Sequence, residues 1–250
     1  MLVRMRRNLA EANYGTLGLE IIVVIAGILI AFQIDRWAQE GRERQQEYQY
    51  LERLKSDLQF EIDLMTDSIG FAESRIAEVL LLEEVAANPK IATKKPNEVA
   101  EAVERATWRS FPHISAYVYT ELQSTGNLSL IRSGTLRQGM AEYYSSIQFE
   151  SVIGVNLEIQ NLFTRLTAGI LSTAELIDIE ENDLNQRQFE VLPDRALEIA
   201  REFAARQSAI DLLPSIAQHH AFSKSVIEAS RDSAQQLVVT LDALIEDFDL

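Results

Sequence analysis

Three histidines, one acidic run and one Ser-Thr-Gly-Asn tetrad are the residues whose types and spacing invite a chemical reading. His219 and His220 are adjacent, so on a helix they point about 100° apart, poor geometry for two ligands of one metal. His219 falls seven residues before Val226 on the apolar seam predicted for the last helix, which makes it a core-edge histidine. His113 follows a proline and is expected in a solvent-facing loop. The run Asp178 to Asp183 could suggest calcium. A calcium loop, however, needs glycine at its sixth position and a bidentate glutamate at its twelfth, where this chain has Asp183 and Phe189. An acidic, solvated loop is the expectation. Cysteine is absent, which excludes thiolate metal sites and cysteine nucleophiles. H-E-x-x-H, P-loop, G-x-S-x-G and dinucleotide-binding patterns are also missing, as is the Glu-x-x-His spacing of carboxylate metal sites in bundles. The expectation is no catalytic residue, no metal, no cofactor and no enzymatic activity.

Ser124-Thr125-Gly126-Asn127 is the most informative polar cluster. Turn chemistry predicts a helix-to-helix corner, with Gly126 relieving backbone strain and Asn127 bonding local amides. A ligand-binding or partner-docking corner is the functional alternative for Ser124, Gly126 and Asn127, with Arg132 and Arg137 near enough to attract an anion. Tyr48, Tyr50, Trp108, Phe111, Tyr117 and Tyr119 could line a pocket, although aromatic residues dominate helical cores in any case.

These groups must be positioned by helices, and the first is apolar. Leu17 to Ile34 reads LGLEIIVVIAGILIAFQI and is followed at once by Asp35-Arg36-Trp37. From Tyr14 to Trp37 a helix would rise about 34 Å, enough for a hydrocarbon core with both aromatic rings at the interfaces. Arg4, Arg6 and Arg7 cluster before the span, which favours an N-terminus on the cytoplasmic side. No A-x-A-like site follows the apolar run, so an uncleaved signal anchor is expected. Gly27 and Ala31 form a small-xxx-small pair that permits close approach of a second helix. Glu20 lies about one turn inside the span, either reaching the interface or paired with a partner helix.

The chain has 250 residues and a net charge of −15, and its first twenty residues carry three arginines against two glutamates. The remainder is strongly acidic, repels phosphate backbones and is not expected to bind nucleic acid. Glycine and proline are scarce and the dominant period is helical. Leu51, Leu54, Leu58, Ile62, Met65, Ile69, Ala72, Ile76 and Val79 step by threes and fours, one eleven-residue block followed by heptads. The transmembrane helix should therefore continue outward as one rod, ended by Asn88-Pro89. Lys90 to Lys95 reads as a loop. Short helices follow from Glu98 to about Arg109 and from Ile114 to Thr125. Ser133 is the predicted N-cap of a long helix from Gly134 to about Ala168, with a phase slip near Gly154. Asp194 should cap a further helix. The last helix follows Pro214, with Val226, Ser230, Ser233, Leu237, Leu241, Leu244 and Phe248 on its seam.

Two segments carry a resemblance. The first is Gly18-Leu19-Glu20-Ile21, through Gly27-Ile28-Leu29-Ile30-Ala31-Phe32-Gln33-Ile34, to Trp37. The second is Glu121-Leu122-Gln123-Ser124-Thr125-Gly126-Asn127-Leu128-Ser129-Leu130-Ile131, with Leu136-Arg137 and Tyr143-Tyr144 after it. In order and spacing they resemble a bacterial family of single-pass membrane proteins of unknown function. The resemblance implies a mostly helical membrane protein and brings no activity with it.

The expectation is thus an all-α chain in a bacterial inner membrane. Residues 1–15 form a cytoplasmic N-terminus, 16–37 a transmembrane helix, and 38–250 a periplasmic antiparallel bundle of long, coiled-coil-like helices. Its expected partners are the lipid bilayer and either further copies of itself or another membrane protein. The expected role is an accessory or scaffolding subunit; the alternative is a ligand-sensing domain that signals through a partner.

Overall fold

The computed structural model describes residues 14–147, 150–185 and 189–248, all helix, turn or coil with no strand among them. Arg4, Arg6, Arg7 and Glu11 lie outside these residues, as does the side chain of Tyr14.

The first helix, α1, runs without interruption from Tyr14 to Ala87, 74 residues through both Gly41 and Gly70. It is the one helix among the described residues long and apolar enough to cross a membrane, and its apolar stretch is wholly unburied. Beyond that stretch a seam sinks into the protein: Glu47, Leu51, Leu54, Leu58, Glu61, Met65, Ser68, Ala72, Arg75, Val79 and Leu82 are all buried. Their spacing alternates strictly between four and three, a continuous heptad pattern. The expected stripe holds at Ile62 and Ile69, which are buried, and needs correcting at Ile76; the buried polar residues Glu61, Ser68 and Arg75 must be added to it. Ile62, Ile69 and Ile76 each follow a buried polar residue, and Ile76 is only half-buried. Counting apolar residues alone produced an eleven-residue block that the helix does not need.

Asn88 ends α1, its side chain accepting from the Lys90 amide to open a 3-10 turn, Pro89–Thr93, where a loop was expected. Helix α2 (Pro96–Arg105) starts on a proline, whose missing N–H costs nothing in a first turn. Helix α3 (Tyr117–Ser124) ends at Gly126, whose φ of 74° is left-handed, as the turn chemistry required. Ser133 caps α4 (Gly134–Ser146) by accepting from the Leu136 amide. The single long helix expected here is in fact two, because Ile147 leaves helical geometry and α5 spans Glu150–Thr167. The expected acidic loop lies within a helix, α6 (Thr173–Asn185), in which Ile179 is buried. Ser172 and Glu175 cap α6 reciprocally: each side chain accepts from the other's amide. Helix α7 (Pro193–Ala204) begins at Pro193, so Asp194 sits in its first turn rather than at its cap. After α8 (Gln207–Ile210) comes α9 (Leu213–Glu246).

The long helices α1 and α9 pair along most of α9's length. Lys55 meets Asp242 at 2.6 Å and Glu73 meets Lys224 at 2.7 Å, so rising numbers on α1 meet falling numbers on α9. The buried seam of α9 is Ile216, His220, Ser223, Ile227, Ala234, Leu237, Leu241 and Ile245. It is rotated from the expected one: Val226 and Ser230 lie at its edge and Ser233 is exposed. The same rotation buries His220 and leaves His219 half-exposed, with Nδ1 on the Ser215 carbonyl. Two apolar cores result. The near core joins Leu51–Ile69 of α1 to α3, α4 and the end of α9. The far core joins Val79–Val85 to α2, α7 and parts of α5 and α6.

Candidate functional site

The polar residues sunk into the α1 seam hold the short elements in place. Glu47, 5% exposed, accepts from the Arg132 amide at 2.6 Å and from Arg132 Nε at 3.4 Å. Tyr50 and Arg53 reach Glu121, the tyrosine hydroxyl donating at 3.2 Å and Arg53 Nη2 at 2.5 Å. That ion pair depresses the exposed Glu121 carboxyl below its usual range. Asn127 Nδ2 donates to the Tyr50 hydroxyl at 3.5 Å. Ser124 and Thr125 both donate to the Glu121 carbonyl, and Arg137 donates to the Ile131 carbonyl. Asn127 and Arg132 are therefore brought together on α1, and Arg132 and Arg137 are already engaged within the corner. A polar cleft of about 200 Å³, lined by Gln46, Gln49, Tyr50, Arg53, Asn127 and Leu130, remains beside it.

Two heptads beyond Glu47 on the seam is a second polar cluster of the near core. Glu61 is 3% exposed, and its carboxylate accepts from the Tyr143 hydroxyl at 2.9 Å and the Tyr144 hydroxyl at 3.4 Å. Burial pushes its pKa up to about 7, against the lowering effect of both phenols and the Ala116 amide. Burial and this carboxylate in turn hold both phenols protonated far above their usual range. One turn earlier on α1, Asp57 Oδ2 accepts from the Val118 amide at 3.0 Å. Two acids of α1 thus face the N-terminus of α3, where the helix dipole favours negative charge. Ala116 precedes that helix at φ 48° and ψ 39°, a left-handed conformation that costs an alanine about 1–2 kcal/mol.

Tyr144 also stacks on Tyr119, with ring centroids 4.7 Å apart and planes 19° from parallel. The pair borders an open cleft of about 380 Å³ between α3 and α4, which Ala116, Thr120, Gln123 and Ser145 also line. On the other side of α4, Tyr143 lines a second cleft of about 370 Å³ against α9. At that crossing α4 approaches closely, because a Cβ on Gly139 would lie 2.9 Å from Leu237 Cδ2.

Of the other residues singled out in the sequence, Glu20, Gly27, Ala31 and Trp37 all lie on the unburied apolar part of α1. A Cβ on Gly27 would meet nothing within 4 Å. Hydrophobic patterning missed Glu47, Glu61, Arg75 and His220 because each is polar. The signal that finds them is position: Glu47, Glu61 and Arg75 fall on the same heptad ladder as the leucines.

The chain is an all-helical protein with one N-terminal helix long and apolar enough to span a membrane and a cluster of buried acids and tyrosines further along it. It belongs to the family of unknown function DUF6090, which matches residues 20–162, more than half its length. That match takes in the apolar stretch, the whole near-core part of α1, and α2 to α4. No curated protein and no solved structure matches it.

Proposed function

We propose that this protein is a membrane-anchored, non-enzymatic helical subunit that acts through protein contacts, as an accessory or scaffold, alone or in copies. Its N-terminus is cytoplasmic, and an antiparallel bundle projects into the periplasm of a bacterial inner membrane. The observation that carries this is the continuity of α1. One helix leads from an unburied apolar segment directly into a buried seam that packs against α9 and against α2, α3 and α7. Whatever binds the segment is rigidly coupled to the bundle. The face bearing Gly27 and Ala31 is the contact surface of that segment. In-membrane crosslinking followed by mass spectrometry tests this. Wild type should yield a stoichiometric complex that Gly27→Leu or Ala31→Leu disrupts; recovery of the same complex from both variants rejects the reading.

A second reading, a ligand-sensing domain that signals through a partner, is favoured by one observation. The Tyr119–Tyr144 cleft is joined by a hydroxyl to a carboxylate on the α1 seam. A ligand there would act on the same helix that enters the membrane.

A further inference from the structure

We infer that the cleft between α3 and α4 is a binding site for a neutral, hydroxyl-rich ring, of which a sugar is the chemical type. The inference rests on the ligand-sensing reading and names the ligand class it requires.

Five features point this way. The cleft, at about 380 Å³, falls in the size range of small-molecule sites. Both tyrosines line it, the half-buried Tyr144 stacked on the buried Tyr119, and an aromatic ring offers apolar surface to the C–H groups of a ring ligand. Its polar groups are the Thr120 hydroxyl and the Gln123 amide, which both donate and accept, and the Ser145 hydroxyl, which donates to the Glu142 carbonyl and keeps its oxygen as an acceptor, as a set of ligand hydroxyls requires. Among the described residues no charged side chain lines it, although charged residues make up 24% of the chain. A charged ligand would lose water here without gaining a counter-charge, and an anion would also meet the field of a chain carrying −15. The cleft wall includes Ala116 in its strained left-handed conformation, and strain of this kind collects at ligand clamps.

The same geometry supplies a route out of the site. A ring packed against Tyr144 shifts a side chain whose hydroxyl donates to Glu61, so occupancy changes the environment of a buried group on α1. The raised affinity of Glu61 for a proton makes that group responsive near neutral pH.

The test uses the full chain in lipid nanodiscs. Thermal melting is followed against glucose, maltose and N-acetylglucosamine, with glucose 6-phosphate as a charged control and a panel of charged and aromatic metabolites beside them. A neutral sugar should raise the melting temperature saturably. The Thr120→Ala/Gln123→Ala double variant, altered only at exposed positions, should bind it at least tenfold more weakly while melting normally without it. The phosphorylated sugar should also bind at least tenfold more weakly. If no neutral sugar shifts the wild type but another metabolite does so through the same two residues, the ligand class is wrong and sensing stands. If no compound shifts it, both fall. A sugar response unchanged in the double variant overturns the site.

Discussion

Near the apolar segment, the charged groups buried on the α1 seam are acids. Glu47 and Glu61, with Asp57 beside them, accept from the amides and hydroxyls that begin or support the next elements. Further along the same helix they are bases. Arg75 Nη1 donates to the Arg105 carbonyl at 3.4 Å, and Arg105 Nη2 donates to the Ile179 carbonyl at 2.5 Å. From α9, His220 Nε2 lies 2.8 Å from the Ala106 carbonyl. The near core presents helix starts to the seam and the far core presents the end of α2, so each is met by the charge its helix dipole favours. A buried charge is expensive unless hydrogen-bonded, and here the hydrogen bond also fixes which short helix sits at which level.

The largest test of this contrast asks whether the two cores fold as one. Leu58→Ala in the near core and Leu82→Ala in the far core should each cost about 2–5 kcal/mol. Because α1 and α9 traverse both cores, calorimetry should show one transition shifted by either change. Two separable transitions would mean that the cores are independent.

Their responses to pH should run in opposite directions. Glu61 has a folded pKa of about 7, raised from 4.5 by burial. Its contribution is complete below pH 4.5 and is lost as pH rises through 7, about 3 kcal/mol in all. His220 is pushed down to about 4 from 6.5, first by burial and then by Arg109, Arg75 and His219. Its contribution is complete above pH 6.5 and is lost as pH falls through 4, again about 3 kcal/mol. Hydrogen exchange should therefore show α3 and α4 better protected at pH 5.5 than at pH 8. Protection at the end of α2 should fall as pH drops below 6.5. Glu61→Gln should remove the first trend and stabilise the protein at pH 8. An equal loss of stability at pH 8 in that variant and in wild type would show that Glu61 is not its source.

A smaller effect belongs to the far core alone. Arg195 binds Glu175 through two hydrogen bonds of 2.8 and 2.9 Å and also donates to the Ile170 carbonyl, tying α7 to the start of α6. The pairing holds the Glu175 carboxyl down to about 2. Arg195→Ala should cost about 1–3 kcal/mol at neutral pH, and the difference from wild type should narrow as pH falls through 4.5 towards 2. Urea titration at pH 7 and pH 3 measures this, and an undiminished difference at pH 3 would argue for lost packing instead. Smallest is Gly126→Ala, which forces a side chain into a left-handed φ and should cost about 1 kcal/mol in the near core.

Helical class, the rod-like first helix, its end at Asn88, the Ser133 cap and the Gly126 corner were legible because each depends on local chemistry. The seam polarity was not. Periodicity analysis weights apolar residues, so Glu61, Ser68 and Arg75 were passed over for the isoleucines next to them. The expected phase of α9 holds at Leu237 and Leu241 but slips in the first part of the helix, which put His219 where His220 belongs. The acidic run within α6 was taken for a loop because its charges hid a single buried position, Ile179. In the candidate site, turn chemistry singled out Asn127 and charge singled out Arg132, but Asn127 meets the Tyr50 hydroxyl rather than a local amide and Arg132 meets Glu47. The acids that hold the short elements lie about 60 to 85 residues away in sequence, and only folding brings them near.

The pairing of α1 with α9 also has a consequence for biogenesis. The seam from Leu51 to Ile69 finds its partner in Ile227 to Ile245, a helix synthesised well over a hundred residues later. While the chain is being made, this leucine-rich stripe has leading segments but no closing helix, and closing so long a loop is slow. Until α9 is made, that stripe stays open to its surroundings. Yield in cells should therefore depend on chaperones that shield apolar surface until α9 arrives.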